Sequence, residues 1–102
     1  MKKIILIIFT FILTSNAFAD QKTMFARSLM NGINIIDNAY WRNNNLLVFI
    51  EVSDTWSGAD TYRTAELICE TLFNQGFTPV SNYTVSMIEK TGQSELLKMK
   101  CK

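Results

Sequence analysis

The sequence predicts an α+β fold: a short N-terminal helix, a β-hairpin, a long amphipathic helix and a second β-hairpin, with helix packed on a four-stranded, mainly antiparallel sheet. Three observations carry this. Apolar residues recur at helical spacing between Asp60 and Gln75. Three consecutive asparagines, Asn43 to Asn45, separate two runs rich in Ile, Val, Tyr, Trp and Phe. Apolar and polar residues alternate on both sides of Thr91-Gly92-Gln93.

The chain opens MKKIILIIFTFILTSNAFA. Lys2 and Lys3 precede an apolar run from Ile4 to Leu13, interrupted only by Thr10, and Ala17-Phe18-Ala19 fits a small-x-small cleavage site. Residues 1–19 therefore read as a secretory signal peptide cut after Ala19. Thr14, Ser15 and Asn16 close the run well short of the roughly 20 apolar residues a spanning helix needs. No stable membrane insertion is expected after cleavage, and the expected location is periplasmic or secreted. Residues 20–102 are then a single small α+β domain. Domains of this size bury only about 60% of their unfolded surface and profit from a covalent staple. The two cysteines, Cys69 and Cys101, both fall in the exported part, so a disulfide between them is expected.

Each element has its own signature. Asp20 to Asn31 combines an N-cap residue with a stripe of Met24, Phe25, Leu29 and Met30, and Gly32 ends it. Ile33–Arg42 and Leu46–Val52 read as a hairpin closed by the three asparagines. That loop pairs Arg42 with Leu46. It sets Tyr40, Asn38 and Ile36 opposite Val48, Ile50 and Val52 on a core face, and turns Trp41, Leu47, Ala39 and Phe49 outward. The outward aromatics require a cover, and the N-terminal helix is the nearest candidate. In the long helix, Tyr62, Ala65, Ile68, Cys69, Leu72 and Phe73 share one side, with Gly76 as a left-handed stop and Phe77 just beyond. In the last hairpin Met87 pairs with Leu97, Val85 with Met99 and Tyr83 with Cys101, all on one face. Helical phase and strand phase independently turn both sulfurs inward.

Chemistry-bearing patterns are few. The chain has no histidine, which removes the usual base of serine and cysteine nucleophiles and His-containing zinc sites. The glycines at 32, 58, 76 and 92 stand singly, so no phosphate-cradling loop is present. Glu51, Asp54 and Asp60 flank the start of the long helix. They are candidates for a carboxylate-based or ion-binding site, against a simpler capping role for Asp60. Lys98, Lys100 and Lys102 form a stripe on the last strand, suited to anions or, more simply, to keeping an outer strand soluble. Trp56 stands in a loop of turn residues, SDTWSGADT, and Leu67 on the polar side of the long helix. With Trp41, Leu47 and Phe49 they are the candidate partner contacts.

Ten basic and nine acidic residues in the whole chain leave no general attraction for nucleic acid or anionic membrane. The expectation is a non-enzymatic exported module that binds a protein partner or a second copy of itself, with no cofactor. A small envelope hydrolase or ion-binding protein using the three carboxylates, and an anion-binding module using the lysine stripe, are the alternatives. The missing histidine argues against the first and the balanced charge against the second.

Overall fold

The computed structural model describes residues 20–102; the expected signal peptide lies outside the described residues. Residues 20–32 form helix α1. It is followed by strands β1 (Ile36–Arg42) and β2 (Asn45–Ile50), helix α2 (Gly58–Asn74), a 3-10 turn (Val80–Asn82), and strands β3 (Thr84–Glu89) and β4 (Glu95–Lys100). The sheet order is β1-β2-β3-β4. Two antiparallel hairpins are joined through a parallel β2/β3 pair, with α2 as the crossover. The fold is the expected α+β arrangement, with a mixed sheet.

The first hairpin departs from the expected register. Its loop is the two-residue turn Asn43-Asn44, with Asn43 left-handed at φ 56°, so Arg42 pairs with Asn45 rather than Leu46. A one-residue slip turns a strand over. Trp41 and Ala39 therefore lie opposite Leu46 and Val48 on the core face, and Tyr40 lies opposite Leu47 on the other. An irregularity between Ile36 and Asn38 admits Asp37 as an extra residue and returns Ile36 to the core opposite Ile50. The expected outward set is thus divided: Trp41 and Ala39 are inside, while Leu47 and Phe49 remain on the far face.

Helix α2 starts with a full capping box, the Ser57 side chain meeting the Asp60 backbone and the Asp60 side chain the Ser57 backbone. It stops at Gly76, left-handed at φ 90°. The Phe77 N–H donates to the Leu72 carbonyl at 3.0 Å and the Gly76 N–H to the Phe73 carbonyl at 3.1 Å, the paired bonds of a Schellman motif. Ala65, Ile68, Cys69 and Leu72 are buried as expected, but Tyr62 and Phe73 are not: they are 50% and 57% exposed. They sit at the margin of the apolar stripe, beyond the width of sheet the helix covers.

In the second hairpin Val85 pairs with Met99 and Met87 with Leu97 as expected, and Cys101 donates its N–H to the Tyr83 carbonyl at 3.0 Å. Beyond Met87 the register shifts by one: Ile88 pairs with Glu95, Glu89 donates its N–H to the Ser94 carbonyl at 2.9 Å, and the loop takes in Lys90 besides the expected Thr91-Gly92-Gln93. Cys69 and Cys101 are bonded, tying α2 to the residue after β4. Phe25, Ala26 and Leu29 of α1 join the same core as Ala39, Val48, Ile68, Leu72, Val85 and Met87. Both helices thus lie on one face of the sheet. At one end of this core Phe25, Trp41, Phe77 and Tyr83 form a ring cluster. Phe77 touches the other three at centroid distances of 5.5, 5.8 and 5.6 Å. Helix α1 covers Trp41: the indole N–H donates to the Lys22 carbonyl at 2.9 Å, and the Lys22 ammonium lies 5.1 Å from the ring.

The corrected register makes a direct prediction. Trp41→Ala should lose about 3 kcal/mol or more and Tyr40→Ala about 1 kcal/mol in urea unfolding, because only Trp41 leaves a core cavity; the opposite ranking would restore the three-residue loop. Joining residues 32 positions apart, the disulfide should contribute about 3–4 kcal/mol. A paired Cys69→Ala, Cys101→Ala variant that unfolds at the same urea concentration as the parent would contradict that.

Candidate functional site

The helices leave the far face of the sheet without a helix among the described residues. Along it run Tyr40 of β1, Leu47 and Phe49 of β2, and Ile88 of β3. Tyr40 and Phe49, diagonal across the strand pair, stack at 5.7 Å with an interplanar angle of 21°. Phe49 pairs with Ile88 across the parallel ladder. Leu47 is only 8% exposed yet stands outside the main core cluster, so its cover comes from these neighbours. Leu96, beside an irregularity in β4, extends the patch.

The margin of the patch is polar. Ser86 is buried and donates to the Asn45 side-chain carbonyl at 3.1 Å, which lets a hydroxyl and an amide lie flat beside Leu47. Arg42, Lys98 and Lys100 are exposed around it, with Glu95 as the acidic member. Lys98 lies across from Ser86 and Lys100 across from Thr84, so two of the three lysines of the stripe border this face. At the far end Lys90 pairs with Asp37 at 3.1 Å. The hydrogen bond and charge of Asp37, then the charge of Glu51, hold the Lys90 ammonium above the ordinary lysine range. Its pairing contribution is present through neutral pH and is lost only as pH rises through that raised value.

The other candidate residues are dispersed. Trp56 is half-buried against the core and donates its indole N–H to the Thr61 hydroxyl at 2.7 Å. Thr61 is the fourth residue of α2, where an apolar staple partner usually sits. A hydrogen bond takes the place of that contact, which is why a tryptophan stands in a loop of turn residues. Leu67 is 53% exposed on a flank of α2 away from Tyr62 and Phe73. Glu51 and Asp54 are exposed. The Asp60 carboxylate accepts from the Ser57 N–H at 3.0 Å and its hydroxyl at 3.1 Å. Among the described residues, no group of three His, Cys, Asp or Glu is arranged to hold a metal ion.

Of the candidates, then, only Leu47 and Phe49 share a surface. Tyr40, Ile88 and Leu96 join them. Tyr40 was hidden by the choice of loop length, and Ile88 by the absence of any sign in the sequence that β2 and β3 pair in parallel. No family model matches the chain, nor does any curated protein or solved structure.

The capping geometry sets an expectation for the acidic loop. Ser57→Ala should cost about 1 kcal/mol through loss of the cap, and calcium should leave the melting temperature unchanged in both parent and variant. A calcium-dependent rise in melting temperature that vanishes on Asp60→Asn would instead assign Glu51, Asp54 and Asp60 to an ion site.

Proposed function

We propose that residues 20–102 form an exported, disulfide-stapled, non-enzymatic domain that binds a partner protein through the open face of its sheet. The observation that carries this reading is the apolar group on the face opposite both helices, where exposed Tyr40 and partly exposed Phe49 and Ile88 pack over a buried Leu47. Contiguous exposed apolar surface in a small domain marks an interaction site, at about 25 cal/mol per Å² gained on covering it. The exposed Arg42, Lys98 and Lys100 around it favour a partner with an apolar centre and carboxylates on its rim. The Cys69–Cys101 bond in a domain this small supports an oxidising compartment. The carboxylate alternative lacks a comparable feature, since the Asp60 oxygens serve the helix cap.

The test is capture of the partner from the cell envelope by the exported protein and by two variants. Phe49→Lys should abolish capture while lowering the melting temperature by about 4–8 °C, the change expected of roughly 1 kcal/mol lost at a partly buried side chain in a small domain. Leu67→Lys should leave capture intact. Equal capture by the parent and Phe49→Lys would remove the open face from the function.

A further inference from the structure

A second surface, on the helix side of the sheet, has a different character. Strand β4 is an edge strand, and α2 packs over β3 and β4, so a groove of about 670 Å³ runs between the outer flank of α2 and the free edge of β4. Tyr62 and Phe73 stand on its α2 flank with Glu66 and Glu70 between them, while Met99, Lys100, Lys102 and the Cys69–Cys101 bond lie along the β4 side. Because Cys101 bonds to Tyr83, the residues of β4 in its phase turn their backbone groups toward β3. The alternate residues, Lys98 and Lys100, therefore turn their N–H and C=O groups outward, where the sheet has no further strand among the described residues. The opposite edge is treated differently. In β1 an irregularity at Asp37 breaks the ladder, and the Ala39 N–H is bonded to the Asn38 side-chain carbonyl at 3.0 Å. Among the described residues, the β4 edge beyond its own irregularity carries no such plug.

We propose that this groove takes an extended segment of a partner protein as a fifth strand, with an apolar–basic–apolar sequence at alternate positions facing α2. The backbone of β4 supplies ladder hydrogen bonds, and α2 supplies the pockets that choose the side chains. The dimensions agree. Tyr62 and Phe73 are 11 residues apart, about 16 Å along a helix, and three alternate residues of a strand span about 13–14 Å. The outer side chains meet Tyr62 and Phe73, and the central one, turned toward α2, meets Glu66 and Glu70, so charge complementarity favours Lys or Arg there. Lys100 borders the groove from β4, but its register opposite Thr84 puts its side chain on the open face. A second copy of the chain is the wrong occupant. Two-fold pairing of β4 with itself brings the α2 flanks together and sets Glu66 and Glu70 against their own counterparts. The disulfide fixes α2 to the end of β4, so the groove needs no ordering when the segment arrives. This site is separate from the open face, and the variants that test one leave the other intact.

The probe is the blocked heptapeptide TVTKTVT, added to the exported protein and followed by amide chemical shifts and hydrogen exchange. Its valines and lysine fall at alternate positions. Shifts and slowed exchange at the Lys98 and Lys100 amides are expected. TVTETVT should bind at least tenfold more weakly, and TVPKPVT, which cannot complete the ladder, should not bind. A Glu66→Lys, Glu70→Lys variant should reverse the preference, taking TVTETVT over TVTKTVT, while Phe49→Lys changes neither. No shift at about 1 mM peptide, equal binding of the proline peptide, or an unreversed preference in the double variant would overturn the proposal. So would concentration-dependent dimerisation that protects the same two amides without peptide, since the edge would then belong to a second copy.

Discussion

The packing of Phe77 is the constraint on which the rest of the fold depends. Helix α2 has to end abruptly, because the chain must turn back along the sheet to start β3. Gly76 permits that turn through its left-handed backbone, and the Phe77 N–H closes it onto Leu72. The consequence is not local. The ring that follows the stop is delivered among Phe25 of α1, Trp41 of β1 and Tyr83 at the entry to β3. Rings from α1, β1 and the entry to β3 converge on this one side chain, each ring pair contributing about 0.5–1.5 kcal/mol beyond the area it buries. In a domain too small for a deep core, such a junction and one disulfide do much of the work of a second layer.

How much of this was legible in the sequence follows from how many independent constraints each element carried. The second hairpin had strands in which one face was largely polar, so a slip along its length would have buried Lys98 or Lys100. Its register from Tyr83 to Met87 is therefore the observed one, and with it the meeting of Cys69 and Cys101; only next to the loop, where no lysine enforces the phase, does it shift by one. The first hairpin had no such protection. Asn43-Asn44-Asn45 allows a two-residue or a three-residue turn, and the slip between them exchanges Tyr40 for Trp41, two aromatics equally acceptable in a core. Polarity could not choose between the registers, and the irregularity at Asp37 then mixed the phases within one strand. Tyr62 and Phe73 were misjudged for another reason. Periodicity reports that residues share a side of a helix, not how much sheet lies beneath that side, and here the sheet ends at β4.

Among the described residues, both helices on one face of a four-stranded sheet leave the other face to its own side chains. On β3 and β4 that face is polar, with Thr84, Lys98 and Lys100 toward water and Ser86 buried against Asn45. On β1 and β2 it is Tyr40, Leu47 and Phe49. The parallel β2/β3 pair joins the halves, so the apolar part runs to Ile88 and stops against hydroxyls and ammonium groups. The apolar half of the open face was therefore legible in part, as Leu47 and Phe49, while its continuity required a strand order that no local pattern encodes.

The lysines of β4 acquire a more specific role in that arrangement. On an outer strand they would ordinarily serve only to discourage edge pairing. Lys98 and Lys100, however, belong to the open face, whereas the groove beside β4 lies on the helix side and carries Glu66 and Glu70. Lys100 and Lys102 border the groove from the β4 side, so its acidic character is confined to the α2 flank. A second β4 would set Lys98 and Lys100 on the open face against their own counterparts and turn Met99, not a basic residue, toward Glu66 and Glu70. Discrimination at the edge therefore comes from which face of the incoming strand bears its basic residue, a distinction the shared backbone hydrogen bonds are unable to make.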